Sequence, residues 1–374
     1  MTDVVVVAAV RSPFGRRGGG LAGLHPVDLL GSILGALAER SGVDPATVGQ
    51  VVGGCVEKAG EQAFNVTRTA WLSAGLPSAV PASTIDAQCG SAQQAFTAAY
   101  ALVAAGIVDS AVACGVESMS RVPMATTFTS GPGEPISPSF LERYPFPDQF
   151  ASAEAIAASW GVTREDCDAL ALRSNARALA ARDAGHGAAG LAAVAGVVAD
   201  ETIRVAPPEK LAGLPTLRDG AVHTAATASK IADGAAALLL MDADRAAADG
   251  VAPLARVVDS VLVGVEPDQM LTGPIPATAT LLTRNGLKIE DIDVVEINEA
   301  FASVVLAWAA ETKVDMDRVN PNGGALAHGH PVGATGAGLL VKAVHELRRI
   351  DGSLGLVTMC CGGGLGTGTL LQRI

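Results

Sequence analysis

The stretch Ser83-Thr-Ile-Asp-Ala-Gln-Cys-Gly-Ser-Ala-Gln-Gln-Ala95 sets a short β-branched run against a run of small helix-forming residues, with one cysteine at the break. A strand should end there, and a helix should run from about residue 90 to 105 until Gly106 stops it. Such a helix would aim its free N–H groups and positive dipole end at the Cys89 sulfur, favouring the thiolate. Cys89 is therefore a candidate nucleophile, against the plainer alternative of a buried core cysteine.

The same rhythm continues on both sides. Upstream, an apolar strand over 4–10 is followed by a glycine-rich loop to Gly20, a helix over 26–39, a strand over 50–56 and a helix over 65–74 that Gly75 and Pro77 break. Downstream, the continuous apolar run 110–114 reads as a strand buried on both faces. After Pro253 the order recurs, with strands over 257–265 and 294–297, helices over 277–285 and 299–311, then a helix over 335–349 and a strand over 353–360. The last helix and strand are spaced nearly as the Cys89 helix is from 110–114. This pattern predicts a duplicated α/β architecture of two similarly wound βα halves.

Between the halves the texture changes. Residues 121–230 open with prolines at 123, 132, 135, 138, 145 and 147, continue as alanine-rich exposed helices over 151–184, and end in a loop over 207–227. This is read as an inserted loop domain, giving a first half over 1–120 rejoined by 231–252, and a second half over 253–374. The apolar run 231–241 reads as a buried helix or a helix-to-strand passage, and 369–374 as a final strand.

At 374 residues, 49% hydrophobic and 17% charged, the chain is long enough to bury more than one core. A formal charge of -12 argues against nucleic acid or an anionic membrane as general partner, while leaving room for a local basic pocket that binds a phosphorylated ligand. The run 4–10 is too short for a membrane span and lacks the flanks of a signal peptide. Six cysteines without a C-x-x-C pair point to a reducing cytoplasm and no structural zinc.

Three loops of the second half, 298–302, 323–336 and 358–366, gather polar residues at strand ends, where open α/β sheets bind ligands. His330, held between Gly329 and Pro331, could take a thiol proton if it met Cys89; His328 and His345 read as structural. The glycines after Cys361 do not open a helix, so they are not a dinucleotide loop. They suit close backbone approach and the N–H groups of an oxyanion hole.

Over nearly its whole length the chain resembles the thiolases. The resemblance rests on Arg11-Ser-Pro-Phe-Gly15, Cys89-Gly-Ser91, Gly115-Val-Glu-Ser-Met-Ser120, Asn298-Glu-Ala-Phe-Ala302, Gly329-His-Pro-Val-Gly333 and Cys360-Cys-Gly-Gly-Gly364, in that order. It implies a thiolase-type duplicated α/β sandwich and reversible thiolytic cleavage of 3-oxoacyl-CoA to acyl-CoA and acetyl-CoA. By resemblance, Cys89 would carry the acyl group, His330 would activate it, and Cys360 would be the acid and base at the acetyl carbon, with Cys361 in the motif's variable place. Asn298 would hold a water in one oxyanion hole, and the N–H groups of Cys89 and Gly362 would form the other. Ser229 and Arg204 would touch coenzyme A. No metal or other cofactor is implied, coenzyme A being a substrate, and the expected assembly is a homodimer or homotetramer.

Asp86 and Ala92 depart from the family pattern beside Cys89. Asp148-Gln-Phe-Ala-Ser-Ala-Glu154 stands where acetoacetyl-specific biosynthetic members carry His-Met-Gly, which favours a degradative role with a broader acyl range. The alternatives are a biosynthetic acetoacetyl-CoA thiolase, a related condensing enzyme, against which Cys360 argues, and a catalytically silent lipid carrier or scaffold, disfavoured by Cys89, His330 and Cys360 together.

Overall fold

In the computed structural model, which describes residues 2–144, 148–204 and 206–374, β1 (Val4–Arg11) is buried along its whole length. Its side chains serve two cores. Val4, Val6 and Ala9 face one, and Val5, Ala8 and Val10 the other, a bulge between Val6 and Ala8 shifting the alternation by one. Then come α1 (Pro26–Ser41), β2 (Gln50–Gly54), α2 (Val66–Ser73), β3 (Ala82–Ile85), α3 (Ser91–Ala104) and β4 (Ser110–Ser118). The intervening region contributes α4 (Gln149–Trp160) and α5 (Arg164–Asp183). The chain continues as β5 (Ala232–Asp242), β6 (Ala255–Gly264), α6 (Pro274–Asn285), β7 (Val294–Ile297), α7 (Ala302–Thr312), α8 (Thr335–Arg349), β8 (Leu354–Cys361) and β9 (Leu365–Arg373).

The strand order β3-β2-β4-β5-β1-β6-β9-β8-β7 contains the duplication. β5 runs antiparallel to both β4 and β1, and β9 antiparallel to both β8 and β6, while β2 and β4 pair in parallel as do β7 and β8. A parallel bridge from Val295 to Val319 stands where β3 stands beside β2. The halves join where Val5 and Val6 of β1 meet Arg256 and Ala255 of β6. α3 and α8 pack against each other and against strands of both halves, forming the layer between the sheets, while α1 and α2 cover the first sheet's outer face and α6 and α7 the second's. A double α/β sandwich results, as the fold expectation had it.

Two expectations are corrected. The run 231–241 is neither a helix nor a helix-to-strand passage but the strand β5: Leu238 and Leu240 face the inner helices while Leu239 and Met241 face α1, so burial on both sides removes the alternation that marks a strand. The helices within 151–184 are not simply exposed. Ala153, Ile156, Ala157, Cys167, Leu170, Ala171 and Ala178 are buried beneath them. Pro145 and Pro147 lie outside the described residues. Among those described, no helix is long and apolar enough to cross a membrane.

Candidate active site

Cys89 stands in a turn that the sequence builds locally. Asp86 Oδ1 accepts the Gln88 N–H at 2.8 Å, Ser91 Oγ accepts the Ala87 N–H at 2.9 Å, and Gln88 sits in the left-handed region at φ 52°. Gly90 follows by necessity: a Cβ there would lie 2.6 Å from Cys361 Sγ and 2.8 Å from Thr367 Cγ2. Asp86, a departure from the family pattern, therefore caps this turn. Ala92 fills the small space between Gly54 and Gly115.

The expected thiolate is not what the environment favours. Burial pushes the Cys89 thiol up to about 11, aided by the charges of Glu117 and Asp86, although the N–H groups of Gly362 and of Cys89 itself point at Sγ and pull the other way. The helix-terminus argument is corrected twice over: the Gly90 and Ser91 N–H groups go to the Ala87 and Gln88 carbonyls, so the donors at Sγ are Gly362 and Cys89 itself, and desolvation outweighs them. Even so, Cys89 is the most accessible of six free cysteines, 9% exposed where the others are 0 or 1%.

His330 comes from the loop that starts α8, at the position in the second half that Cys89 occupies in the first. Burial lowers its pKa to about 4, so the ring is neutral. Asn298 Nδ2, which can only donate, lies 3.2 Å from His330 Nε2. Nε2 is thus the bare nitrogen and Nδ1 carries the proton, donating at 2.7 Å to Thr335 Oγ1, whose own hydroxyl donates at 2.9 Å to the Pro331 carbonyl. Asn298 Oδ1 has no hydrogen-bond partner among the described residues. Glu117 anchors the surrounding loops, accepting N–H groups of Val56 at 3.0 Å, Glu57 at 3.2 Å and Gly333 at 2.9 Å. Burial raises this carboxyl to about 7.

β8 alternates across its two adjacent cysteines. Cys360 faces a cavity, beside Leu271 and Phe301, and Cys361 packs into the inner helical layer under Gly90. Burial and the neighbouring Cys89 push the Cys360 thiol well up. The cavity, about 250 Å³, is lined by Cys89, His330, Cys360, Gly362 and Ser229 together. Ser229 is held there by its N–H to the Ala300 carbonyl at 2.9 Å and by the Ala228–Phe301 bridge. Six of the seven candidate residues therefore meet, with Asn298 reaching in through His330.

Profiles of the thiolase N-terminal and C-terminal domains match residues 4–244 and 251–373. The chain belongs to the thiolase family. It is 46% identical to the steroid 3-ketoacyl-CoA thiolase of Mycobacterium tuberculosis, the similarity covering all of this chain and 95% of that one. It is 39% identical to a beta-ketoadipyl-CoA thiolase of Escherichia coli, over the full length of both. Human mitochondrial 3-ketoacyl-CoA thiolase, solved in complex with CoA, superposes with a TM-score of 0.90 at 33% identity, covering all of this chain and 98% of the other. This thiolase is accordingly an acyltransferase of the α/β sandwich class.

The seventh candidate, Arg204, is not in this cavity. It lines an adjoining groove of about 770 Å³ between α5 and the segment 206–214, together with Lys210 and Lys230. Lys230 lines both spaces and was not singled out from the sequence. Its Nζ donates to the Thr202 carbonyl at 2.8 Å, and its own carbonyl accepts the His330 N–H at 2.9 Å. Thr335, four residues past Pro331 in the first turn of α8, was missed as well.

Proposed function

We propose that this thiolase degrades 3-oxoacyl-CoA to acetyl-CoA and a shortened acyl-CoA, with Cys89 as nucleophile. The resting pair is a thiol and a neutral imidazole, so the proton leaves Cys89 for His330 Nε2 as Sγ attacks the C3 carbonyl. The C2–C3 bond breaks, and acetyl-CoA departs as an enolate whose thioester oxygen is held by His330 Nε2–H with Asn298. The Cys360 thiol protonates C2. The resulting Cys360 thiolate then takes the proton of incoming coenzyme A, whose sulfur attacks the acyl group on Cys89. The oxyanion of that step is held by the N–H groups of Cys89 and Gly362, and His330 returns a proton to Cys89.

The observation that carries the reading is the convergence of Cys89, His330, Cys360 and the Gly362 N–H on one cavity. Coenzyme A is assigned to the groove. Among the described residues Arg204, Lys210 and Lys230 form no salt bridge, and three such cations in one groove of a chain of charge -12 suit phosphates there, leaving pantetheine to pass Lys230 and Ser229 toward Cys89. The relatives' names, steroid 3-ketoacyl-CoA and beta-ketoadipyl-CoA thiolase, support degradation over biosynthesis.

For the wider organisation we assign a first half over 1–120 rejoined by 231–252, an inserted domain over 121–230 and a second half over 253–374. The homodimer or homotetramer is proposed from the family resemblance, and six free thiols support a reducing cytoplasm. The activity is tested by following coenzyme A-dependent loss of acetoacetyl-CoA and of longer 3-oxoacyl-CoA, with acetyl-CoA as product. No turnover of any of them would overturn the assignment.

A further inference from the structure

Apart from Lys230, which it shares with the coenzyme A groove, the cavity is lined by Met119, Met124, Phe150, Leu271 and Phe301, the surface left for the acyl remainder past C3 if the proposed reaction is right. The rings of Phe150 and Phe301 meet edge to face at 5.3 Å. Among the described lining residues only Asp148 and Lys230 bear a formal charge at neutral pH. Lys230 is turned to the carbonyls of Thr202 and Ala327 on the groove side. Among the described lining residues Asp148 is therefore the one charged group at the acyl end, with Arg218 just outside the lining.

Asp148 is also fixed in place. It caps α4, its Oδ1 accepting the Ala151 N–H at 2.8 Å, and its Oδ2 pairs with Arg218, whose guanidinium lies 5.7 Å over the Phe150 ring. The nearest cation that a negatively charged acyl tail could use is thus already occupied by Asp148.

We propose that Asp148 is a specificity determinant that excludes acyl groups ending in a carboxylate, so that this thiolase takes 3-oxoacyl-CoA with an apolar remainder. An apolar tail meets methionine, leucine and aromatic surface that adapts to branched or ring-bearing shapes. A terminal carboxylate would lose hydration on entering that apolar space and find no free cation, since Arg218 is engaged by the half-exposed Asp148, whose own carboxylate would lie beside it.

The test compares kcat/KM for two thioesters differing only in that tail, 3-oxohexanoyl-CoA and 3-oxoadipyl-CoA. The native enzyme should prefer the first by roughly tenfold or more, the scale of one like-charge contact near a protein surface. Asp148→Asn keeps an oxygen to cap α4 but frees Arg218, and should shrink the preference by about that factor. Arg218→Ala leaves Asp148 unpaired and should widen it, a change of opposite sign that general loosening of the mouth would not produce. Equal native rates on both thioesters, or variants that move the ratio in the same direction, would overturn the proposal. Failure to cleave either thioester, with no acetyl group on Cys89 from acetyl-CoA, would overturn the underlying reaction and this inference with it.

Discussion

Thr335→Val isolates the support that His330 receives from behind. Valine preserves the volume of this buried side chain but removes the oxygen that accepts the Nδ1 proton at 2.7 Å. In the resting enzyme this leaves a buried N–H unsatisfied, at a cost of about 1–3 kcal/mol of stability. During catalysis the ring becomes an imidazolium, and the lost bond would then have been charge-assisted and roughly twice as strong. The additional penalty of about 1–2 kcal/mol falls on the barrier alone, lowering kcat roughly 5- to 30-fold. KM for coenzyme A should hardly move, because Thr335 is not part of the Arg204 groove. Thr335→Ser restores both the acceptor for Nδ1 and the donor to Pro331, and should recover most of the rate. Steady-state kinetics and thermal melts of the two variants provide the readout. A Thr335→Val enzyme with native kcat, or a serine variant as impaired as the valine one, would refute the tautomer assignment.

Brief iodoacetamide treatment near neutral pH, mapped by mass, should label Cys89 before the other five cysteines, which are more deeply buried; Cys55 or Cys167 reacting first with activity retained would contradict the nucleophile. Because burial holds His330 near 4 and its neutral form is the base, kcat/KM should stay flat as pH falls from 7 to about 5, whereas a histidine of ordinary pKa would lose half its base near 6.5. Arg204→Ala and Lys210→Ala together should raise KM for coenzyme A several-fold and leave kcat within about twofold; a change confined to kcat would remove the groove assignment.

The sequence made the scaffold legible where one face of an element is wet or a breaker stands at its end. The helix over 26–39 and the strand over 294–297 fall where α1 and β7 lie, because the apolar stripe of α1 stands opposite exposed Asp28, Ser32 and Glu39 and turn residues mark β7. β5 was misread because Ala232–Asp242 is covered on both faces and carries no period. The final strand begins earlier than expected, at Leu365, because Gly363 and Gly364, at φ 76° and 78°, form a tight turn from β8 into β9. α7 starts at Ala302, later than the helix over 299–311, because Ala300 and Phe301 are held by Ser229 and Ala228.

Of the proposed reacting groups, Cys89 stood out at a strand-to-helix break and His330 in a Gly-His-Pro loop, whereas Cys360, Asn298 and Gly362 were reached only through the resemblance to the thiolases. Their acid–base state was not legible. Whether the Cys89 thiol moves up or down depends on how completely it is desolvated and on Glu117, a residue 28 positions away in sequence. Thr335 and Lys230 escaped notice for a similar reason: a hydroxyl in a helix's first turn and a lysine in an alanine-rich loop acquire meaning only from the His330 atoms they meet. The acyl-end lining is likewise assembled from the distant positions 119–124, 148–150, 271 and 301.

The central claim, that Cys89 carries the acyl group while Cys360 moves only a proton, is tested most directly by trapping the intermediate. Cys360→Ala should be slowed roughly 10² to 10⁴-fold in turnover, the usual contribution of a positioned acid or base, yet still accept an acetyl group from acetyl-CoA. Intact-protein and peptide mass spectrometry should find that acetyl on Cys89, with none on the Cys89→Ala protein, and Cys361→Ala should turn over nearly as the native enzyme does. An acetyl adduct on Cys361, or a dead Cys361→Ala beside a fully active Cys360→Ala, would contradict the account.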